Sequence, residues 1–176
     1  MNEPIMQWLP AQPIVYTSRS PSNLRKALSQ FNVENNARYK PFTIDHKLIT
    51  WCNIFRWDGT RALGVEVPHW FNPSTGEPVP HHTKGSKEMA SNMVEDWMRE
   101  FGLRRGWVQV SRKKGEDDAR SGKVVVLNWL NKEGRHGHEA FLLPDGKVIQ
   151  AGAHCGVYGL EQVFPQPLAV TFWSHE

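Results

Sequence analysis

A change of periodicity near Trp107 is the feature that most limits what this chain can fold into. Before it, apolar residues recur at helical spacing; after it they gather into short strand-like runs. Helices first and a run of antiparallel strands afterwards describe an α+β domain. Ser20-Pro21 reads as a helix start, an N-cap serine with proline at the first helical position, and Leu24, Ala27, Leu28 and Phe31 follow as one apolar stripe. Polar residues Asn32 to Lys40 and Pro41 close that element. A second helix is expected from about Trp51 to Leu63, with Thr50 as N-cap and Gly64 as the stop, which puts Cys52, Phe55, Gly59 and Ala62 on one face. The stretch from Pro68 to Gly85, with Pro73, Pro78 and Pro80, must be loop. A third helix is expected from about Lys87 to Phe101, with Ala90, Met93, Val94, Trp97 and Phe101 as its buried stripe. The strands expected after it are Trp107–Val110, Lys123–Leu130, His138–Leu143, Lys147–Ala151 and Val170–Ser174.

A length of 176 residues fits one domain with a real hydrophobic core. Residues 1–20, with Pro4, Pro10 and Pro13 opposing a helix, read as an extended arm, and residues 21–176 as the domain itself. Eight tryptophans are many for this length and suit a filled core with a few rings lining a groove. Two cysteines are too few for a disulfide scaffold, although one bridge between them is open to the sequence. No apolar run is long enough for a membrane span, and the N-terminus lacks the basic-then-apolar pattern of a signal peptide. The expectation is a protein made in the cytoplasm that needs another agent to carry it out. The net charge of +3 and pI near 9.0 favour an anionic partner, nucleic acid or bacterial cell wall among them, or simply a soluble surface.

Cys52 falls in the first turn of the expected second helix, where unpaired N–H groups and the helix dipole favour a thiolate. A buried core cysteine is the competing account. Downstream, His138 opens a strand, Leu143-Pro144-Asp145-Gly146-Lys147 turns, and the return strand carries Gln150. With a three-residue loop and Gly146 left-handed, Leu143 pairs with Lys147 and Ala140 with Gln150, so Gln150 lies one diagonal step from His138 on the same face. Gln150 can then orient the imidazole as the third member of a triad. A two-residue Asp-Gly turn would put the two side chains on opposite faces.

The stretch Gly137-His138-Glu139-Ala140-Phe141-Leu142-Leu143, followed by Pro144-Asp145-Gly146-Lys147-Val148-Ile149-Gln150-Ala151, resembles the second half of the NlpC-type peptidoglycan peptidases. In those, a Gly-His strand leads through a glycine turn to a strand where a polar residue precedes alanine. Thr50-Trp51-Cys52-Asn53-Ile54-Phe55, continuing to Asp58 and Ala62-Leu63-Gly64, is similar to the cysteine helix of the same papain-like superfamily. Gln30-Phe31-Asn32-Val33, Pro68-His69-Trp70, Gly122-Lys123-Val124-Val125-Val126 and Gln150-Ala151-Gly152 look like phage-lysin and secreted-effector relatives. The likeness covers residues 20 to 175. It implies a papain-like fold and hydrolysis of amide bonds in cell-wall peptides, with Cys52, His138 and Gln150 as triad and no metal or organic cofactor. Trp51 stands where many of these sequences have an aspartate that helps bind the substrate's free amine, and Gln150 stands where histidine is commoner.

On this template Cys52 attacks a peptide carbonyl, His138 protonates the departing amine, and water activated by His138 frees the acyl-enzyme. The Cys52 backbone N–H is the natural oxyanion donor, and Asn53 is a candidate second donor. Trp51, His69 and Trp70 are candidate substrate-binding residues, the last two in a loop that also contains Phe71 and can wall the groove or belong to the core. His136 is the alternative base. The histidines His69, His81, His82, His136, His138 and His154, even with Cys155, lack zinc-site spacing. Cys155 lies in an expected loop and reads as a bystander. The basic run from Arg104 to Lys114 leads into Glu116-Asp117-Asp118 and reads as a solvated face before a wall-binding or nucleic-acid one. Two classes follow: a peptidoglycan hydrolase, lysin or secreted toxin with an immunity or delivery partner, and a non-catalytic papain-like module that binds wall peptide or a partner protein.

Overall fold

A computed structural model describes residues 6–134, 136–165 and 169–176; residues 1–5 of the expected arm, with Pro4, lie outside the described residues. A short 3-10 turn, Met6–Trp8, leads into extended chain. That chain is tied down over the cysteine helix: the Tyr16 N–H donates to Ala62 O at 2.7 Å, and Arg61 donates to Ala11 O at 2.6 Å. Helix α1, Pro21–Ser29, begins as expected, with the Ser20 hydroxyl accepting from the Asn23 N–H at 3.1 Å and Leu24, Ala27 and Leu28 buried.

Between α1 and the cysteine helix, after the polar stretch that ends at Pro41, a hairpin to which the sequence reading gave no element forms from β1, Phe42–Ile44, and β2, Lys47–Ile49. Its two-residue turn holds Asp45 and His46 at positive φ, the geometry of a type I′ turn without the usual glycine. Helix α2 spans Cys52–Ala62. Its cap position is Trp51, not Thr50, and no side chain caps it, because an indole has no acceptor to offer the helix N–H groups; the Trp51 N–H donates instead to Lys40 O at 3.0 Å. Gly64 ends the turn at φ 69°, as expected.

The expected third helix is corrected at its start. Lys87–Glu88 is strand β4, paired with β3, Trp70–Phe71, so the prolyl loop is closed by a small ribbon. Strand pairing wins there over a helix start at Ser86, since it lets Met89 bury while its N–H donates to His69 O at 2.7 Å. Helical structure starts at Ser91, as a 3-10 turn Ser91–Met93, then α3, Val94–Trp97, a π-turn Met98–Gly102 and a last 3-10 turn Leu103–Arg105. Val94, Trp97 and Phe101 are its buried stripe.

The second half is sheet, with two helical segments that the sequence reading missed. Strand β5 is Val108–Val110, and α4, Arg112–Ser121, follows. Then come β6, Val124–Trp129, β7, His138–Leu142, β8, Lys147–Ala151, and β9, Cys155–Gly159. A turn of helix, α5, Leu160–Val163, precedes β10, Val170–His175. Six antiparallel strands pair in the order β5-β10-β6-β7-β8-β9. The fold is therefore a mixed α+β arrangement, with helices on both sheet faces. One face packs against α1 and α2 through Phe55, Val126, Phe141 and Ile149; the other packs Ala119 of α4 with Val125, Leu142, Val148 and Phe172.

Glycine sets the depth of the first contact. A Cβ at Gly59 would sit 2.5 Å from the Phe141 ring, so α2 can lie close on β7 only because that position has no side chain. Helix α4 was missed because its sequence is almost wholly polar. Its Ser111 cap and its pairs Arg112–Glu116, Lys113–Asp117 and Lys114–Asp118 hold it, and these pairs neutralise the Arg112–Lys114 part of the basic run. Among the described residues no helix is long and apolar enough to cross a membrane.

Candidate active site

The turn after β7 decides whether His138 and Gln150 can meet. Gly146 is left-handed at φ 81°, its N–H reaches Leu143 O at 3.0 Å, and the Leu143 N–H reaches Lys147 O at 2.8 Å. This is the three-residue loop, and Phe141 accordingly pairs with Ile149 and Leu142 with Val148. The Gln150 Oε1 hydrogen-bonds His138 Nε2. A Cβ on Gly152 would lie 2.9 Å from both side chains, so a larger residue would push them apart.

With Nε2 engaged by Gln150, Nδ1 is the nitrogen left for Cys52, the first residue of α2. Burial, at 4% exposure, disfavours a Cys52 thiolate, but hydrogen bonding and charge from His138 outweigh it, and Ser91 adds another hydrogen bond; the thiol titrates below its ordinary value. For His138, burial opposes the imidazolium, and Cys52, then Gln150 and Glu139, outweigh burial and raise it. The two shifts describe one thiolate–imidazolium pair.

Other buried contacts hold this pair in register. Arg56, one turn after Cys52, makes a 2.7 Å ion pair with Glu139, the residue after His138, and both side chains are buried. Arg56 also donates to Val67 O and Pro68 O, so the cysteine helix, the histidine strand and the start of the prolyl loop share one clamp. Asn92 donates to Asn131 O at 3.1 Å and to Gly134 O at 3.0 Å, and accepts from the Asn131 N–H, which fixes the approach to His138.

A cleft of about 230 Å³ opens at Cys52, lined also by Leu48, Ile49, Trp51, Glu88, Ser91 and Gly137. Asn53 lines it too, but its amide is turned to Met89 O at 3.5 Å while its Oδ1 accepts from the Ile54 N–H. His136, the alternative base, lines the cleft outside β7; the Gln150 contact belongs to His138. Two expected binding residues lie elsewhere. His69 is fully buried, stacked on Trp57 with ring centroids 5.4 Å apart, because β3–β4 pairing turns it into the core. Trp70 packs against Trp8 and His81 and lines a separate aromatic cavity of about 580 Å³. Among the described residues, no group of three His, Cys, Asp or Glu side chains is placed to hold a metal.

Ser91 and Glu88 were not found from sequence. Ser91 Oγ lies 3.2 Å from Cys52 Sγ across 39 residues of chain, and the helical stripe beside it gave no sign of that contact. Glu88 falls inside the expected third helix, a placement that gives no sign of its strand pairing with Trp70. Comparison of the chain with family models, curated proteins and solved structures returns no match.

Proposed function

We propose that this chain is a papain-like cysteine hydrolase that cuts an amide bond in bacterial peptidoglycan peptides. The observation that carries the reading is the convergence of Cys52, His138 and Gln150, with the thiol made more acidic and the imidazole more basic by each other. A binding module has no need of such a pair. The order of a cysteine helix followed by a sheet whose adjacent strands carry base and orienting residue also fits the papain-like resemblance. In that setting the protein is made in the cytoplasm and reaches the wall by lysis or secretion, as a lysin or as an effector with a delivery or immunity partner.

In the acylation step the Cys52 thiolate attacks the amide carbon, and the electron pair of the C=O moves to oxygen. The Cys52 N–H, at the first position of α2 with no upstream helical carbonyl to bond, is the donor for that oxyanion. Collapse of the tetrahedral intermediate breaks the C–N bond, and the His138 imidazolium gives its proton to the leaving nitrogen. Neutral His138 then takes a proton from water, whose oxygen attacks the thioester, and Cys52 leaves as thiolate while the imidazolium re-forms. Gln150 Oε1 keeps the ring aligned through both proton transfers by accepting from Nε2–H.

The test is to incubate wild type, Cys52→Ala, His138→Ala and Gln150→Ala with intact peptidoglycan and identify released fragments by mass spectrometry. Fragments are expected from wild type, with release reduced about 10⁴-fold or more in the first two variants. Gln150→Ala should lose up to about 10²-fold as the ring drifts from its productive angle. No fragments from folded wild type, across walls from several bacteria, would sink the hydrolase and leave the wall-binding module.

A further inference from the structure

The reaction scheme gives the oxyanion one donor, the Cys52 N–H, while the Asn53 amide is turned away toward Met89 O. That contact ties residues 89–91 to the first turn of α2, whose leading N–H groups have no helical partner. Ser91 opens the 3-10 turn Ser91–Met93, and at a helix start a serine hydroxyl commonly bonds to nearby backbone. Here it goes to the nucleophile instead, with Oγ 3.2 Å from Cys52 Sγ. Ser91 is 6% exposed and lines the Cys52 cleft beside Ala90. In so dry a place a hydroxyl dipole acts on a neighbouring charge with little screening by water.

We infer that Ser91 is a catalytic residue, the second oxyanion donor, whose hydroxyl passes from the sulfur to the substrate oxygen as the negative charge makes the same move. The inference rests on the reading of Cys52 as the nucleophile of an amide hydrolase. In the free enzyme the charge sits on Sγ, and the Ser91 hydroxyl donates to it. When Sγ bonds to the carbonyl carbon, the charge moves to an oxygen on that carbon, and the sulfur no longer holds the donor. Rotation about the Ser91 Cβ–Oγ bond then re-aims the proton without moving a heavy atom. Sulfur is a weak acceptor and an oxyanion a strong one, so the transfer favours the transition state over the ground state. The two donors and the base come from three elements, α2, the 3-10 turn and β7, and converge on one carbonyl.

Two small reagents separate this role from simple tuning of the thiol, because only one of them makes an oxyanion. In the full chain carrying Cys155→Ser, Cys52 is treated with p-nitrophenyl acetate or with iodoacetamide. On the ester the thiolate adds to the carbonyl carbon, the C=O pair moves to oxygen, and collapse expels p-nitrophenolate and leaves a thioester. On iodoacetamide the thiolate displaces iodide and leaves a thioether, with no charge placed on oxygen. The p-nitrophenolate burst gives the first rate and intact mass the second. The measure is each variant's acylation rate divided by its own alkylation rate, which cancels the thiolate fraction that Ser91 also sets. Ser91→Ala is expected to lower this ratio about 100-fold, and Ser91→Thr, which keeps the hydroxyl, to retain most of it. An unchanged ratio in Ser91→Ala overturns the donor, even if wall peptides are released by the wild type. A ratio that falls as far in Ser91→Thr as in Ser91→Ala overturns it as well, since the hydroxyl is then not the part that matters. A ratio that follows the hydroxyl while no wall peptide is ever released leaves the donor standing and removes the peptidoglycan reading. A Cys52 that reacts with neither reagent overturns both.

Discussion

The two cysteines of this chain have opposite surroundings. Cys155 opens β9 at the sheet edge, is more exposed than Cys52, and donates its thiol to Tyr39 O at 3.0 Å. Burial raises it, and Lys40 offsets this only in part. Cys52 is the more deeply buried of the two, yet its thiol is lowered. Exposure therefore does not rank these thiols. What ranks them is whether the neighbours stabilise negative charge: an imidazole and a hydroxyl at Cys52, a backbone carbonyl that can only accept at Cys155.

The largest effect on this contrast comes from the clamp that Cys52 has and Cys155 lacks. Arg56→Ala or Glu139→Ala leaves a buried charge without its partner and should cost about 3–5 kcal/mol of stability, read as a fall in the denaturant midpoint. Replacing both residues together by apolar ones of similar volume should recover much of that loss while loosening the thiol–imidazole alignment. A double variant as unstable as the singles would show that the pair is not the unit involved.

The pH dependence sharpens the contrast next. A lowered thiol is ionised at pH values where a raised one is still protonated, so alkylation of Cys52 should persist below the ordinary cysteine range and that of Cys155 should begin above it. His138→Ala removes the outweighing partner and should slow Cys52 alkylation about 30-fold at pH 7, the change expected if a fully ionised thiol returns to a pKa of about 8.5. Coincident alkylation profiles for the two wild-type cysteines, resolved by peptide mass spectrometry, would erase the distinction.

The smallest effect belongs to Ser91. A hydrogen bond to a charged group is worth roughly 1.5 kcal/mol at the low end, so Ser91→Ala should move the pH midpoint of Cys52 alkylation up by about one unit and leave that of Cys155 as it was. A Ser91→Ala midpoint equal to wild type would mean that the hydroxyl only fills space.

Much of the fold could be read from local signals. Ser20-Pro21 is a complete helix start in two residues, and the Lys147–Ala151 strand lies between a glycine turn and a change of pattern. Helix α4 could not be read this way, since only Gly115, Asp118 and Ala119 are buried and its stability comes from capping and paired charges. Strand β9 escaped because Cys155–Gly159 has no clear alternation, and pairing with β8 alone makes it a strand. In the candidate site, Cys52, His138 and Gln150 were legible because each sits at a position with its own local logic: a helix start, a strand start and a register set by a turn.

The sequence alone therefore determined the kinds of element, the acidity-favouring place of Cys52, and a His138–Gln150 pairing that depended on one turn. Tertiary structure chose between the two turns. It also buried His69, carried Trp70 to another cavity, and brought Ser91 and Glu88 to the cleft. The physical reason is range. Helix caps, turns and strand alternation act over a few residues and are written in them, whereas a hydroxyl reaching a sulfur across 39 residues depends on how the elements pack.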